Sequence, residues 1–298
     1  TKNIYNWFRN QTSMLVLNIP FEGGTTNANA RDYSPFQNNV SGTSAIYNST
    51  GGHDGNGSMM FNGTSADFSV DRANSLNISI FTLEGRIYVR STARNGTILS
   101  NYMGAGGSPT GAGYGLVYEN GILNFTVGNG TAAGQSITST TSLSLNTWYH
   151  TVATFNGTNM SLYINGAHEA SRIFSGTYQL STGLLFVGTN SITTYNLNGS
   201  LDELRIWNTS LPTAQILALY SNRTDVIVAQ ETVVGDIWNA SITPNDGTGD
   251  GTERFSTNVT IANTAPTHGT PILNSTLRTN TTRENLTVYN VSTADGDE

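Results

Sequence analysis

The sequence contains no cysteine, so no disulfide framework can hold its fold together. Charged residues make up only 11% of its 298 residues, and 13 Lys and Arg residues stand against 20 acids. The resulting net charge of −7 gives no basic surface for nucleic acid. No apolar run approaches the roughly 18 residues of a membrane span. No signal peptide is visible, which indicates a mature product or a segment of a longer protein.

Short alternating runs of apolar and polar residues dominate what is present. Between residues 145 and 207 such runs are separated by Asn-Gly pairs at 156–157 and 165–166. This period-two pattern with Asn-Gly turns predicts antiparallel strands with one buried face. One helix is predicted over 211–220, with Pro212 in its first turn. Its expected apolar stripe consists of Leu211, Ile216, Leu219 and Tyr220.

Several of these runs resemble the laminin-G-like and concanavalin-A-like jelly-roll domains over residues 14–221. The segment 145–166 is similar to the family's "W-h-h-v-a-x-t-y-d-G … l-Y-i-D-G", and 197–207 is similar to "f-n-G-x-i-D-E-v-r-i-y". The run 81–87 matches "f-T-i-e-a-W-v" except that Arg86 replaces the tryptophan. The resemblance implies an all-β jelly-roll sandwich.

The ends of the chain resemble the immunoglobulin-like repeats of prokaryotic surface proteins. Residues 234–247 and 256–266 follow "G-D-x-W-x-v-x-v-t-P-x-D-G … v-x-I-x-N-t-a-P". Residues 286–298 lead into the "D-G-D" motif, and residues 4–10 supply what should follow it. The resemblance implies four segments: an immunoglobulin-like strand in 1–13, the jelly roll in 14–221, further immunoglobulin-like strands in 222–263, and strands in 264–298 given to a neighbour.

This order predicts that the smaller sandwich is completed by another unit, because two strands alone are marginally stable. Residues 264–298 would dock on 1–12 and 228–262 of a neighbouring chain or repeat. Such head-to-tail contacts build filaments. The alternatives are that 264–298 folds back onto its own chain or forms a mobile tail.

The triplet Asn-x-Ser/Thr recurs along the whole chain and indicates an N-glycosylated protein of the extracellular cell surface, although an Asn-rich chain makes some such triplets by chance. Few lysines, no cysteine and dense triplets favour an archaeal surface. The candidate sites are Asn10, Asn39, Asn48, Asn56, Asn62, Asn77, Asn95, Asn124, Asn129, Asn156, Asn159, Asn198, Asn208, Asn222, Asn239, Asn258, Asn274, Asn280, Asn285 and Asn290.

No catalytic constellation is recognisable, and we expect the protein not to be an enzyme. Asp202 and Glu203 are adjacent on a predicted strand, so they should face opposite sides of the sheet. No Gly-x-Ser-x-Gly elbow is present. The four histidines are scattered and are expected at the surface or in turns: His53, His150, His168 and His268.

The jelly-roll resemblance also implies a structural calcium ion between an early Asp loop and the late Asp strand. By that resemblance the ligands would be Asp32, Asn38 and Asp202, with help from Glu22. In the alternative, Asp32 caps a turn and Asp202 bonds to backbone. A second calcium site could form at the repeat junction from Asp246, Asp250, Asp295 and Asp297.

Three functions are therefore weighed. The first is a structural subunit or repeat of a glycosylated filament or sheath, whose partners are copies of itself. The second is an adhesin module that binds external carbohydrate, since this jelly roll commonly presents a sugar site. Its candidate stacking residues are the loop tyrosines Tyr33, Tyr102, Tyr114 and Tyr195. The third is a glycoside-cleaving enzyme, for which the paired acids are missing.

Overall fold

The computed structural model describes residues 2–22, 30–38, 40–42, 44–64, 68–71, 73–93, 95–102, 111–131, 133–190 and 195–263, and parts of 267–294. Those C-terminal parts are 267–275, 277, 279, 282–283, 285–289, 291–292 and 294. Within this described part the protein is nearly all β, as the sequence predicts.

The strands are, in chain order, β1 Lys2–Arg9, β2 Thr12–Ser13, β3 Leu15–Ile19, β4 Val40–Gly42, β5 Ile46–Asn48, β6 Ser58–Asn62, β7 Phe68–Val70, β8 Phe81–Val89, β9 Gly96–Ser100, β10 Tyr114–Glu119, β11 Ile122–Val127, β12 Gln135–Thr138, β13 Trp148–Phe155, β14 Asn159–Ile164, β15 Ala167–Ile173, β16 Leu185–Val187, β17 Asn198–Trp207, β18 Ile237–Asn245, β19 Arg254–Phe255, β20 Val259–Thr260, β21 Ile272–Ser275 and β22 Leu286–Tyr289. The helix α1 spans Thr213–Tyr220, and short 3₁₀ turns cover Asn74–Leu76 and Ala229–Glu231.

Two large antiparallel sheets form the sandwich of the jelly roll. Over the described strands, the seven-stranded sheet has the order β12-β11-β10-β9-β16-β7-β4. The eight-stranded sheet has the order β15-β14-β13-β8-β17-β6-β5, with β3 also paired to β17. Alternate side chains of both sheets point into one core that includes Phe81, Phe125 and Phe155, all fully buried. The predicted jelly-roll fold is confirmed.

Two Asn-Gly pairs form tight hairpin turns, the predicted one at 165–166 and another at 120–121. Asn120 and Gly121 join β10 to β11 with φ angles of 51° and 92°. Asn165 and Gly166 join β14 to β15 with φ angles of 51° and 78°. Two consecutive left-handed residues make the turn whose twist matches that of the flanking strands, and Asn and Gly tolerate this conformation best.

The helix α1 covers the outer face of the eight-stranded sheet. Its predicted apolar stripe is largely correct, because Ile216 and Leu219 are buried and Leu211 is buried just before it. Tyr220 is the exception, since it is 40% exposed. Leu211, Ile216 and Leu219 pack with Trp207 and other residues of the sheet's outer face to form a second apolar cluster.

A smaller sheet brackets the jelly roll. Strand β1 pairs with β18 over eight residues, from Lys2 opposite Asn245 to Arg9 opposite Trp238. Strands β2, β19 and β20 complete what we call the frame sheet. Trp238 of β18 packs into the apolar cluster under α1, and Trp7 of β1 lies against it. The two ends of the jelly roll are therefore held side by side by one ladder.

The strands β21 and β22 form a separate C-terminal hairpin. Their ladder runs from Ile272 opposite Tyr289 to Ser275 opposite Leu286. No ladder within the described residues joins this hairpin to the frame sheet or to the jelly roll. The described part of the chain also contains no helix long and apolar enough to cross a membrane.

Candidate functional site

A bulge in β17 gives the site its shape. The register of β17 against β8 shifts between Asp202 and Arg205, and Glu203 takes a left-handed φ of 54°. A bulged strand places two successive residues opposite one partner, so neighbours can share a face. Asp202 and Glu203 both lie within 4.8 Å of Asp54, so the expectation that they face opposite sides is wrong.

Four carboxylates converge beside this bulge and form what we call the carboxylate cluster: Glu22, Asp54, Asp202 and Glu203. Glu22 follows β3, and Asp54 lies in the turn between β5 and β6. Ligand atoms of Glu22, Asp54 and Glu203 lie within 4.8 Å of one another, as do those of His53, Asp54 and Asp202. Three of the four acids are buried, and Asp54 lies at the exposed rim.

The ammonium group of Lys2 enters this cluster from β1. It donates to Glu22 Oε1 at 2.5 Å and to Asp54 Oδ2 at 2.9 Å, and it also contacts Glu203. Burial opposes ionisation of Asp54, but the ammonium outweighs it and lowers the pKa of this carboxyl to about 2. Burial raises the pKa of Glu22 above its usual value despite the same ammonium.

Asp202 carries the feature of the cluster that is hardest to explain by protein contacts alone. Its side chain is fully buried, and Oδ2 accepts from the backbone N–H of His53 at 3.0 Å. Its Oδ1 has no hydrogen-bond partner among the described residues. A buried carboxylate oxygen without a partner costs free energy. Hard cations such as calcium take carboxylate oxygens as ligands, so this donor set fits one.

The structure divides the predicted calcium ligands between two places. Glu22 and Asp202 belong to the carboxylate cluster, whereas Asp32 and Asn38 lie together in another loop. Asp32 Oδ1 accepts from the backbone of Asn18 and Ser34, while its Oδ2 accepts from the Ser34 hydroxyl and from two nitrogens of Asn38. These five bonds, at 2.7–2.9 Å, show Asp32 in the turn-capping role that the sequence left as an alternative.

The acids at the predicted repeat junction also have protein partners. Asp246 accepts from the backbone of Thr248 and Gly249, both at 2.9 Å. Asp250 accepts from the Tyr33 hydroxyl at 2.8 Å and pairs with Arg31. Asp295 and Asp297 lie outside the described residues. The structure therefore brings no junction cluster together from the two acids that it describes.

A buried row of charged side chains continues from the cluster along the outer face of the eight-stranded sheet. Glu84 accepts from Arg205 Nη1 and from Trp207 Nε1, both at 2.9 Å, and His150 Nε2 lies 3.4 Å from it. Arg205 also pairs with Glu203. Burial opposes ionisation of Glu84, but Arg205 and His150 lower its pKa to about 2. Burial lowers the pKa of His150, which favours its neutral form.

Arg86, which stands where the family has tryptophan, fastens the end of α1. Its Nη2 donates to the carbonyls of Leu219 and Tyr220 at 3.1 and 3.0 Å and to Asn222 Oδ1 at 2.6 Å. These carbonyls have no partner within the helix, and a cation there also opposes the negative end of its dipole. A pocket of about 360 Å³ opens between this helix end and Lys2.

Among the histidines only His150 differs from its predicted placement, since His53 lies in a turn and His168 and His268 are exposed. His150 is fully buried rather than at the surface, and His53 belongs to the carboxylate cluster rather than standing alone. His168 packs against the ring of Tyr163, and His268 contacts the carbonyl of its neighbour Gly269.

Two of the tyrosines proposed to stack on sugars are excluded. Tyr114 is fully buried in β10, and Tyr33 is only 9% exposed. Tyr102 and Tyr195 are half-buried, and the hydroxyl of Tyr195 donates to Glu119 at 2.8 Å. Buried rings cannot offer a face to a ligand, so a sugar platform of these four tyrosines does not form.

Sequence reasoning missed Lys2, His53, Asp54 and Glu84 as members of one site. A signal existed for Lys2, because it is the only lysine in the sequence. His53 and Asp54 are adjacent in one turn and Glu84 lies on β8, and no local spacing connects these two places with each other or with Lys2.

A profile of the concanavalin A-like lectin/glucanases superfamily matches residues 42–217, which is more than half of the chain. The chain belongs to this superfamily. Its matched region holds β8, β13 and β17, which carry Glu84, His150 and the bulge. No match was found among curated protein sequences.

Solved structures similar to this superfamily member include binding domains of bacterial toxins. The binding domain of botulinum neurotoxin serotype G superposes with a TM-score of 0.56 at 16% identity, over 70% of this chain and 51% of that one. That of serotype D gives 0.55 at 18% identity, over 70% and 52%. The binding domain of Paraclostridial Mosquitocidal Protein 1 gives 0.51 at 20% identity, over 69% and 52%. The chain thus spans about half of each, and identity at this level shows a shared fold alone.

We predict that Glu84→Gln destabilises the protein by about 3 kcal/mol at pH 7, because it removes one of the two carboxylates that pair with the buried Arg205. The measurement is chemical unfolding followed by tryptophan fluorescence. The difference from the wild type should shrink as pH falls from about 4.5 toward about 2. The unfolded carboxyl, with its higher pKa, takes up a proton first, so stability is lost over that range.

Glu253→Gln provides the matched control, because Glu253 is exposed and its loss removes the same charge without uncovering a buried partner. It should unfold like the wild type at every pH. Equal stability of Glu84→Gln and wild type at pH 7 would contradict the importance of the buried pair.

Proposed function

We propose that this chain is a non-enzymatic structural module of an extracellular surface, and that copies of it associate head to tail through the C-terminal hairpin. The single observation that carries the proposal is the exposed apolar face of that hairpin. Leu273 lies opposite Val288 in the ladder, and Leu286 lies two residues before Val288 on the same strand. Their three side chains therefore share one face of the hairpin. They are 62%, 72% and 64% exposed.

An apolar face of this kind favours association. Burying a side chain of this size is worth about 1.5–3 kcal/mol, and two strands alone do not form a stable unit. The exposed face is therefore a contact surface that another sheet can cover.

The frame sheet provides a surface of matching character. Phe8 and Phe255 lie with their ring centroids 5.8 Å apart, and Phe255 is 61% exposed. They line a groove of about 250 Å³ that also borders Tyr33 and Pro35. The adjacent edge strand β20 exposes Val259 at 59%. We call this surface the docking groove and assign it to the C-terminal hairpin of a second copy.

The contact would use two different surfaces of the same chain. Such heterologous contacts repeat without closing when their rotation does not return to the start, and they then produce filaments. Short edge strands with unpaired backbone groups are also sites where strands of another chain add to a sheet. A filament, sheath or stalk is the assembly that this geometry favours.

The placement of asparagines supports an extracellular, N-glycosylated surface. Every Asn-x-Ser/Thr asparagine within the described residues is at least partly exposed, while Asn39, Asn280 and Asn290 lie outside them. The buried asparagines among the described residues all fall outside such triplets: Asn6, Asn18, Asn38, Asn101, Asn196 and Asn245. Exposure is what glycosylation requires, because a bulky glycan must extend into solvent.

The absence of enzymatic activity is part of the proposal. The acids of the carboxylate cluster and the buried row mostly have cationic partners, Glu203 with Lys2 and Arg205, and Glu84 with Arg205. A general acid or base needs a carboxyl free to exchange its proton with a substrate. These acids are better suited to holding the jelly roll and the frame sheet together.

A bound calcium ion is proposed as the cofactor, held by the carboxylate cluster and supplying structural charge neutralisation only. Asp202 Oδ1, the buried oxygen without a partner, supports this assignment. Addition of a chelator should lower the melting temperature by several degrees, and calcium should restore it. Asp202→Asn should abolish that response, and an unchanged melting temperature in wild type would contradict the site.

We predict that the wild-type protein self-associates at micromolar concentration and that Leu273→Asp with Val288→Asp abolishes this. Phe255→Ser in the docking groove should have the same effect, because the contact needs both surfaces. Sedimentation velocity over a concentration series is the measurement. Thr282→Asp, a charge added to an exposed position of the same segment, is the control and should associate normally.

Mixing provides a sharper test of the head-to-tail geometry. The hairpin double variant keeps an intact docking groove, and Phe255→Ser keeps an intact hairpin. An equimolar mixture should therefore form dimers that do not extend further. The proposal would be refuted by a wild type that stays monomeric at 100 times the micromolar concentration predicted for association. A mixture of the two variants that stays monomeric would refute it as well.

Carbohydrate binding is the second candidate function, favoured by the superfamily and by a polar groove on the eight-stranded sheet. This groove of about 700 Å³ is lined by hydroxyl, amide and imidazole side chains, among them Ser161, His168 and Thr213. Such groups make the hydrogen bonds that a neutral sugar needs. Asn156 and Asn159, both in glycosylation triplets, border the same groove.

The glycan-array test uses native protein whose mass is first measured before and after enzymatic deglycosylation. A mass difference counts the attached glycans, and no difference would contradict glycosylation. The deglycosylated protein should then bind sugars on the array, and His168→Ala should bind at least tenfold more weakly. Binding equal in both proteins, or none at all, would reject this groove as a sugar site.

A further inference from the structure

Lys2 occupies the place in the carboxylate cluster where an ion would sit. Its ammonium contacts carboxylates from three separate segments: Glu22 after β3, Asp54 in the β5–β6 turn and Glu203 in the bulge. An ammonium has three hydrogens to donate, and each can be directed at one of these acids. No other lysine exists in the chain.

The same three carboxylates can meet at one metal ion. Their nearest ligand atoms lie within 4.8 Å of one another, which is the separation of two oxygens about 2.4 Å from a shared centre. Calcium and the Lys2 nitrogen would then need the same position. A compact ammonium and a divalent ion cannot both occupy it, because they would repel at contact distance.

We propose that Lys2 is a built-in competitor of the divalent cation, so that calcium binding to the carboxylate cluster displaces the Lys2 ammonium and breaks its side-chain tie to the jelly roll. The inference rests on the proposed calcium site. Without calcium, Lys2 pairs with three acids of the cluster and ties the frame sheet to the jelly roll. With calcium, the ion takes over neutralisation and that tie is broken.

The arrangement makes the release local. Lys2 is the first residue of the β1–β18 ladder, opposite Asn245, whereas Trp7 further along is anchored by its indole N–H to the Thr224 carbonyl at 3.0 Å. Loss of the Lys2 contacts therefore removes one side-chain tie at the end of the ladder and leaves the β1–β18 pairing in place. Calcium would in this way adjust how firmly the frame sheet is joined to the jelly roll.

The presence of a single lysine allows a direct experiment on the unaltered protein. Protein labelled with [¹³C,¹⁵N]lysine gives one lysine side-chain signal, and calcium is titrated into it. The CεHε signal should move toward the position of a solvated lysine, with the same half-saturation that calorimetry gives for calcium binding. If calcium binds and the signal stays in place, the displacement is refuted while the calcium site stands.

Calorimetry of variants gives an independent measure. Lys2→Met should bind calcium at least tenfold more tightly than wild type, because no ammonium has to be displaced. Arg31→Met is the matched control: it removes one cation from the Arg31–Asp250 pair outside the cluster and should leave calcium affinity unchanged.

The outcomes separate the two proposals. Equal calcium affinity of Lys2→Met and wild type would overturn the role of Lys2 alone. No calcium binding by wild type or by Lys2→Met would overturn the calcium site and the competition together. Because the lysine signal is measured on wild-type protein, poor folding of Lys2→Met would not prevent a decision.

Discussion

The buried carboxylate of Glu84 is the constraint on which the outer face of the eight-stranded sheet depends. A charge out of contact with water is tolerated only when it is paired and hydrogen-bonded, and here Arg205, Trp207 and His150 meet that requirement. The pairing fixes side chains on β8, β13 and β17 at once. It needs a cover that excludes water, and α1 and the frame sheet supply that cover.

The cover is attached by the same kind of interaction. Arg86 donates to the last carbonyls of α1. Lys2, the first residue of the frame sheet, pairs with the carboxylate cluster. Apolar packing of Trp7, Trp238 and Leu219 fills the space between these polar attachments. Charged residues are few in this protein, and several of the buried ones are placed where separate segments must be joined.

The bulge at Asp202–Glu203 links this structural role to a site. One extra residue in β17 turns both acids toward Asp54, so that the four carboxylates of the cluster stand against two pairing cations, Lys2 and Arg205. The unpartnered Asp202 Oδ1 is the local sign of that imbalance. The proposed cation site, the frame attachment and the proposed assembly through the hairpin involve different surfaces of one framework, with Lys2 common to the first two.

The sequence by itself determined the strands, the Asn-Gly turns and the helix, because these follow from local periodicity and turn chemistry. The jelly-roll class followed from the resemblance of its motifs to a known family. It also indicated that the strands near residues 3–9 and 234–243 belong together, and β1 and β18 do pair. Only the tertiary structure decided the site. The alternation of side chains along a strand predicted Asp202 and Glu203 on opposite faces of the sheet, but the bulge turns both toward Asp54. Asp32 was turned inward by donors of its own loop, while Lys2, Asp54 and Glu84 met through long-range pairing that leaves no local pattern in a sequence.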